Sequence, residues 1–288
     1  MHKDISKSIN NLPTVSATIK QYNLFANKKL SQNFILDLNL TNKIVNLSNT
    51  IENNTIIEIG AGPGSLTRSI LLNGAKKIII IEKDTRFIDP LNILNIASQN
   101  RIIIENQDAI KVDLSDILEK HNVDQAEIIA NLPYSIATKL LLNWLPFHKK
   151  INKMTLMFQK EVAERIISKY NTHTYGRLSI ISNWKLDIKK IIEIKPSSFN
   201  PKPKIDSTLL VFEPKKKYLK LQNANSIEKI TRVFFNQRRK KIKKPFNKIF
   251  QNSIEIAKKL KINLDLRPQN LDLETYYLIA SEFEKLRD

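Results

Sequence analysis

The 288-residue chain has no cysteine, which excludes disulfides and thiolate metal sites. Its four scattered histidines offer no imidazole cluster, so no metal is expected. No apolar run approaches the roughly 18 residues of a membrane span. The opening "MHKDISKSINNLPTVSATIKQYN" lacks the apolar centre of a secretory signal. A reducing, cytoplasmic setting without a membrane partner is the expectation. Glycine is scarce too: the chain has five, and three fall within "EIGAGPGSLT" (58–67). Acidic residues are outnumbered, 28 against 47 Lys and Arg, for a net charge of +19. Residues 214–288 alone hold 19 basic and 8 acidic side chains, an excess that a phosphate backbone attracts.

Between residues 54 and 168, short β-branched runs alternate with longer amphipathic stretches. The runs are "TIIEI" (55–59), "KIIIIE" (77–82), "RIIIE" (101–105), "EIIA" (127–130) and "MTLMF" (154–158). That alternation predicts an α/β fold, an open, mostly parallel sheet with helices on both faces. "LDIKKIIEI" (186–194) and "STLLVFE" (207–213) add two strands around a proline-rich loop. Beyond Pro214 the pattern turns helical and basic. The expected organisation is a partly flexible extension over 1–27, an α/β domain over 28–213 and a small, all-helical RNA-binding domain over 214–288.

Gly60, Gly62 and Gly64 follow the first of these strands and lead into a helix. Glycine suits a backbone that takes positive φ or lies against a ligand with no Cβ between them. The G-x-G-x-G spacing is not the dinucleotide fingerprint, and alone it signals no more than a tight strand–helix turn. Glu82 closes the next strand, 22 residues after Gly60, and its carboxylate can take both hydroxyls of a ribose. Asp108, in "NQDAI" after the third strand, stands on the same rim and can accept from an adenine amino group. Acids at strand ends are also ordinary solvated loop residues. Three such features on consecutive units nevertheless point to a cofactor pocket. With no Walker lysine or phosphate cradle, the cofactor is expected to be an adenosine without a pyrophosphate.

"EIIANLPYSIATKLL" (127–141) poses a further question. A buried strand stops at Asn131-Leu132-Pro133-Tyr134, and Ser135 is placed to cap the helix that follows. On these four residues alone, a plain turn is the simpler reading. In sequence order, however, the glycine loop, the strand-end Glu, "DA" and "NLPY" resemble the S-adenosylmethionine-dependent ribosomal RNA adenine N6-dimethyltransferases, the KsgA type. The segments "KKLSQNFI" (28–35), "FQKEVAERI" (158–166), "YGRLS" (175–179), "SSFNPKPKIDS" (197–207) and "FFNQRRKKI" (234–242) are each similar to a segment of that family. The resemblance covers nearly the whole chain from Lys28. Ser31 stands where the family usually has Gly, Ile35 where it usually has Leu, and extra residues precede the familiar start.

The resemblance implies a Rossmann-like methyltransferase sheet with S-adenosylmethionine as cofactor. It also implies two adjacent adenosines, in a 3′-terminal hairpin of small-subunit (16S) ribosomal RNA within a pre-30S particle, as target of a monomeric enzyme active in ribosome biogenesis. The N6 lone pair of adenine is delocalised into the ring, so two acceptors on its hydrogens would hold the nitrogen and draw the lone pair out of conjugation. The Asn131 side-chain oxygen and the Leu132 carbonyl, fixed by Pro133, are suited to this, and Tyr134 to stacking on a splayed-out base. By the family pattern Phe199 closes the other face of the base. By the same resemblance Asn33 and Ile35 are expected to line the methionine end of the cofactor, with Asn131 at its edge. Arg238, Arg239, Lys240 and Lys241, in a run read as helical, are expected to meet RNA phosphates. Two other functions compete. A large-subunit RNA dimethyltransferase of the macrolide-resistance type is disfavoured by Leu132 and by the long basic C-terminal segment. A non-catalytic ribosome-assembly or nucleic-acid-binding factor is disfavoured by the intact Gly60, Glu82, Asp108 and NLPY.

Overall fold

A computed structural model describes residues 2–27, 30–48, 51–145 and 147–286. Lys28 and Lys29, which open the family-like segment 28–35, lie outside the described residues. The chain divides into two units, residues 1–160 with 189–213, and residues 161–188 with 214–288.

The first unit is built on a sheet in the order β4 (Ile102–Glu105), β3 (Lys77–Ile81), β2 (Thr55–Ile59), β5 (Ala126–Ala130), β6 (Ile151–Gln159), β9 (Ser207–Pro214) and β7 (Leu186–Ile194). The first five are parallel neighbours, and β9 runs antiparallel to β6. Parallel strands covered on both faces do not alternate in polarity, and Ile78 to Ile81 are all buried. The helices between the strands are α3 (Leu38–Asn46), α4 (Ser65–Leu72), α5 (Ile88–Ala97), α6 (Leu114–Lys120) and α7 (Tyr134–Trp144). A separate two-stranded ribbon pairs β1 (Phe34–Ile35) with β8 (Phe199–Asn200).

Strand order creates the place for a site. From β2 the chain steps outward to β3 and β4, then returns to β5 on the other side of β2. A reversal of this kind opens a crevice beyond the carboxyl ends of the two strands it separates. Gly60 and Asn131 are the residues that follow those two ends. Because β9 is antiparallel, its first residue, Ser207, lies opposite Gln159, on the rim where the parallel strands finish.

Two features differ from the expected organisation. Within 1–27 the chain forms α1 (His2–Asn10) and α2 (Val15–Gln21) rather than a partly flexible tail. Ile5 and Ile9, four residues apart and so on one helix face, join an apolar cluster with Ile70, Leu71 and Leu91. Their helix lies against α4 and α5. After α8 (Lys160–Ile166), the second unit contains α9 (Arg177–Ser182), α10 (Asn225–Phe235), α11 (Lys243–Ile249), α12 (Ser253–Lys259) and α13 (Leu273–Glu284). Phe234 meets Phe246 and Tyr276 edge-on, with ring centroids 6.2 and 5.8 Å apart. Tyr175 packs against Phe235 at 6.4 Å, and the Tyr277 hydroxyl donates to the Ile180 carbonyl at 2.9 Å. These interactions bring 161–188 into the helical unit, so a cut at Pro214 captures only part of it.

Ile5→Ala or Ile9→Ala is expected to destabilise the protein by about 2–4 kcal/mol in urea unfolding, the usual loss for a buried aliphatic side chain. A change below about 0.5 kcal/mol would mean that α1 is a loosely held tail.

Candidate active site

The crevice at the β2–β5 reversal is a pocket of about 230 Å³. Asn33, Gly60, Glu82, Asp108, Asn131 and Tyr134 all line it. The pocket therefore joins the glycine loop, both strand-end acids and the NLPY turn. The glycines answer a positive φ and, at Gly62, a close neighbour as well. At Gly62 (φ +55°) a Cβ would lie 3.0 Å from the Phe34 ring, which is itself held edge-on by Phe87 at 5.6 Å. At Gly60 (φ +70°) the nearest neighbour is Pro133, 3.8 Å from where a Cβ would stand.

Glu82 is buried, and its two oxygens accept backbone N–H groups, Gly62 at 2.9 Å and Asp84 at 2.8 Å. Burial pushes this carboxyl up, and the two N–H bonds oppose the rise. Each oxygen keeps a lone pair for a ligand. Asp84 is clamped by Arg86 at 2.6 and 2.9 Å and by Gln32 at 2.9 Å, and the Arg86 hydrogen bonds hold its carboxyl below the usual range. Asp108, on the same rim, pairs with the Lys83 ammonium at 2.8 Å and accepts from the Ile110 N–H at 3.1 Å. Lys83 first, then that N–H, keeps Asp108 ionised to unusually low pH.

The NLPY turn is oriented by its partners. The Asn131 amide nitrogen donates to the Asn33 carbonyl at 2.9 Å, which leaves the other end of the amide, Oδ1, as an acceptor. The Asn33 amide in turn donates to the Ser31 carbonyl at 3.2 Å. Ser31 has φ +51°, a left-handed conformation that glycine adopts freely, which accounts for the Gly that the family usually has there. α7 starts at Tyr134 with Pro133 at the N-cap, two residues before the expected cap, Ser135. The Pro133 carbonyl takes the N–H groups of Ile136 and Ala137, at 3.0 and 3.1 Å, so the helical ladder begins there and the Leu132 carbonyl precedes it. The Tyr134 hydroxyl is hydrogen-bonded to the Ser207 hydroxyl, and burial pushes the phenol up.

Other expected residues are placed differently. Ile35 lines the pocket, but Phe199, its partner in the β1–β8 ribbon, is 3% exposed and sits in the apolar cluster with Phe34 rather than on the pocket wall. The basic run lies in the turn after α10, not on a helix, because α10 ends at Phe235 and the chain bends to bury Ile242. Arg238 donates to the Thr172 and His173 carbonyls and to Gln269, clamping that loop. Lys241 pairs with Asp265 at 2.8 Å. Arg239 and Lys240 are exposed, with no ion pair among the described residues.

Two pocket residues were not picked out in the sequence. Glu58 is 1% exposed, accepts from the Thr67 hydroxyl at 2.7 Å, and is pushed up to about 8 by burial. Its only sequence signal is an acid inside the otherwise apolar "TIIEI". The Ser65 hydroxyl is buried on the pocket wall with no partner among the described residues. An adenosine carrying an amino-acid tail suits this set: backbone-anchored and ion-paired acids for its hydroxyl and amino groups, an unfilled hydroxyl, and a glycine cradle that side chains would fill.

The sheet and its pocket define a Rossmann-like methyltransferase. A dimethyladenosine transferase from Plasmodium falciparum superposes with a TM-score of 0.71 at 27% identity, over 86% of this chain and 96% of that one. The 23S rRNA methyltransferase ErmE, at 19% identity, shares the fold with a TM-score of 0.64 over 88% of this chain and 100% of that one. Ribosomal RNA small subunit methyltransferase A of Pelagibacter ubique is 46% identical over 265 residues, 91% of this chain and 98% of that protein. The ribosomal RNA adenine dimethylase profile matches residues 23–285, and the chain belongs to that family.

Glu58 yields a pH prediction. Between its ordinary value of 4.5 and about 8, the folded protein keeps a proton that the unfolded chain has released. The group's contribution is full below 4.5 and is lost as pH rises toward 8, by up to about 1.4 kcal/mol per pH unit. Urea unfolding of Glu58→Gln from pH 5 to 8 should show stability declining less steeply than in the unsubstituted protein. Equal slopes would place an ionised Glu58 in the fold.

Proposed function

We propose that the protein transfers methyl groups from S-adenosylmethionine to N6 of two adjacent adenosines, in a hairpin near the 3′ end of small-subunit ribosomal RNA, giving N6,N6-dimethyladenosine during ribosome biogenesis. The observation that carries this reading is the Asn131 amide, anchored at its nitrogen by Asn33 and opening its oxygen to the pocket that holds Glu82 and Asp108. The small-subunit target is supported by Leu132 and by the name of the Pelagibacter relative.

S-adenosylmethionine, when bound, supplies a methyl group activated on a sulfonium. Glu82 takes the ribose hydroxyls, Asp108 the adenine amino group, and the Gly60–Gly62 backbone, Asn33 and Ile35 the methionine end, with Asn131 at its edge. Asn131 Oδ1 and the Leu132 carbonyl accept the two hydrogens of the target N6, which positions the nitrogen and returns its lone pair from the ring. Tyr134 stacks on the base. Taking the methyl moves the positive charge from sulfur to the nitrogen, and this anilinium-type cation is acidic enough to pass its proton to water without a strong base. Phe199 acts from behind, packing the strand that presents Ile35. Arg239 and Lys240 meet phosphates, while Arg238 and Lys241 hold the surrounding structure. The working partner is a pre-30S particle, the enzyme is a monomer, and its setting is the cytoplasm. Among the described residues, no helix is long and apolar enough to cross a membrane.

The direct test is mass mapping of N6,N6-dimethyladenosine in both ribosomal RNAs, with and without the gene. Loss from small-subunit RNA alone is expected. Loss from large-subunit RNA, or from neither, contradicts the reading. Asn131→Ala should lower single-turnover transfer by about 10²-fold or more, as for other preorganised polar groups at a reacting centre. Arg239→Ala with Lys240→Ala should flatten the log–log salt dependence of RNA binding by about 0.7–0.9 for each phosphate no longer neutralised. An unchanged slope would make both residues a solvated surface only.

A further inference from the structure

We propose that Ser207 is a positioning residue that fixes the ring of Tyr134, and with it the plane on which the target base stacks; this rests on the stacking role given to Tyr134 above. Tyr134 is the first residue of α7, so no preceding helical turn packs against its ring to restrain it. Its restraint comes from the far end, where its hydroxyl meets that of Ser207. Ser207 is fully buried and is the first residue of the antiparallel strand β9, in register with Gln159. The reversal of β9 is what brings a residue 73 positions away onto the rim where β5 ends. The backbone beside it is held as well: the Lys160 N–H donates to the Asp206 carbonyl at 2.9 Å, and Lys195 pairs with the Asp206 carboxylate at 3.0 Å.

The segment 199–207 is thus tied to both halves of the pocket. Phe199 pairs with Ile35 at the proposed cofactor end, and Ser207 holds Tyr134 at the proposed base end. The ring is pinned at its Cα by α7 and at its hydroxyl by β9, a two-point restraint that a phenylalanine would lack. Deleting the Tyr134 hydroxyl leaves that of Ser207, which is fully buried, without this partner. Ser207 touches neither cofactor nor base in this arrangement and acts only through Tyr134.

The test is a double-mutant cycle of Ser207→Ala and Tyr134→Phe, read as single-turnover methyl transfer to small-subunit particles lacking the modification, with S-adenosylmethionine affinity measured by calorimetry. Each single variant should lower kcat/KM by about tenfold, through a ring that has lost its alignment. The double variant should fall little further, because both changes remove one interaction. Cofactor affinity should stay within about twofold of the unsubstituted protein, a split that general loss of structure does not produce. Multiplicative losses, or a parallel fall in cofactor affinity, overturn the proposal. If Ser207→Ala does not fold, Tyr134→Phe decides alone, since wild-type transfer without the hydroxyl also overturns it. Tyr134→Ala separates the two levels: wild-type transfer by that variant would refute the stacking reading itself, whereas a large loss together with an unaffected Ser207→Ala would refute only the positioning.

Discussion

The hydrogen bond from the Asn131 amide to the Asn33 carbonyl joins residues 98 apart and sets the polarity of the whole pocket. An amide can turn either end toward a ligand, and with its nitrogen committed it presents an oxygen. The same bond fixes the segment that carries Phe34 over Gly62 and Ile35 against Phe199. Glycine loop, NLPY turn and the β1–β8 ribbon are therefore one mutually determined arrangement. A side chain at Gly62 would displace Phe34, and a displaced Phe34 would shift the adjoining Asn33 carbonyl that Asn131 reads.

Charge in the pocket is handled by two different devices. Glu82 and Glu58 stand in buried surroundings that favour the neutral acid, and backbone N–H groups oppose that tendency only at Glu82. Asp84 and Asp108 are kept ionised by Arg86 and Lys83. The outcome is a set of carboxyls able to accept hydrogen bonds from hydroxyl and amino groups, with burial and ion pairing acting on different members. Such a preorganised polar site works by position more than by proton transfer, in keeping with a reaction whose difficulty is the orientation of a weakly nucleophilic nitrogen.

Much of this was legible in the sequence because it is local. The runs at 55–59 and 186–194 are strands with those same bounds, since β-branched residues in short uninterrupted runs have few alternatives. The glycines, Glu82, Asp108 and Asn131 stood out because all follow strand ends, where an open parallel sheet puts its ligands. What escaped was set by distant partners. Ile5 and Ile9 read as a polar tail until α4 and α5 cover them. Tyr175 announces nothing of Phe235. Ser135 was the better cap by residue type, but the Pro133 carbonyl takes the first N–H groups instead. Arg238 read as one of four equivalent cations, and only the fold turns it onto backbone carbonyls. Ser207 and Glu58 became site residues through strand register and burial, neither of which is written locally.

The account stands most directly on where the target base lies. The measurement is a structure of the protein with S-adenosylhomocysteine and a small-subunit particle or RNA whose target adenosine is unmodified. The account predicts the N6 nitrogen about 3 Å from both Asn131 Oδ1 and the Leu132 carbonyl, with the base on the Tyr134 ring. A base seated elsewhere, or an Asn131 amide turned to present its nitrogen to N6, would contradict it.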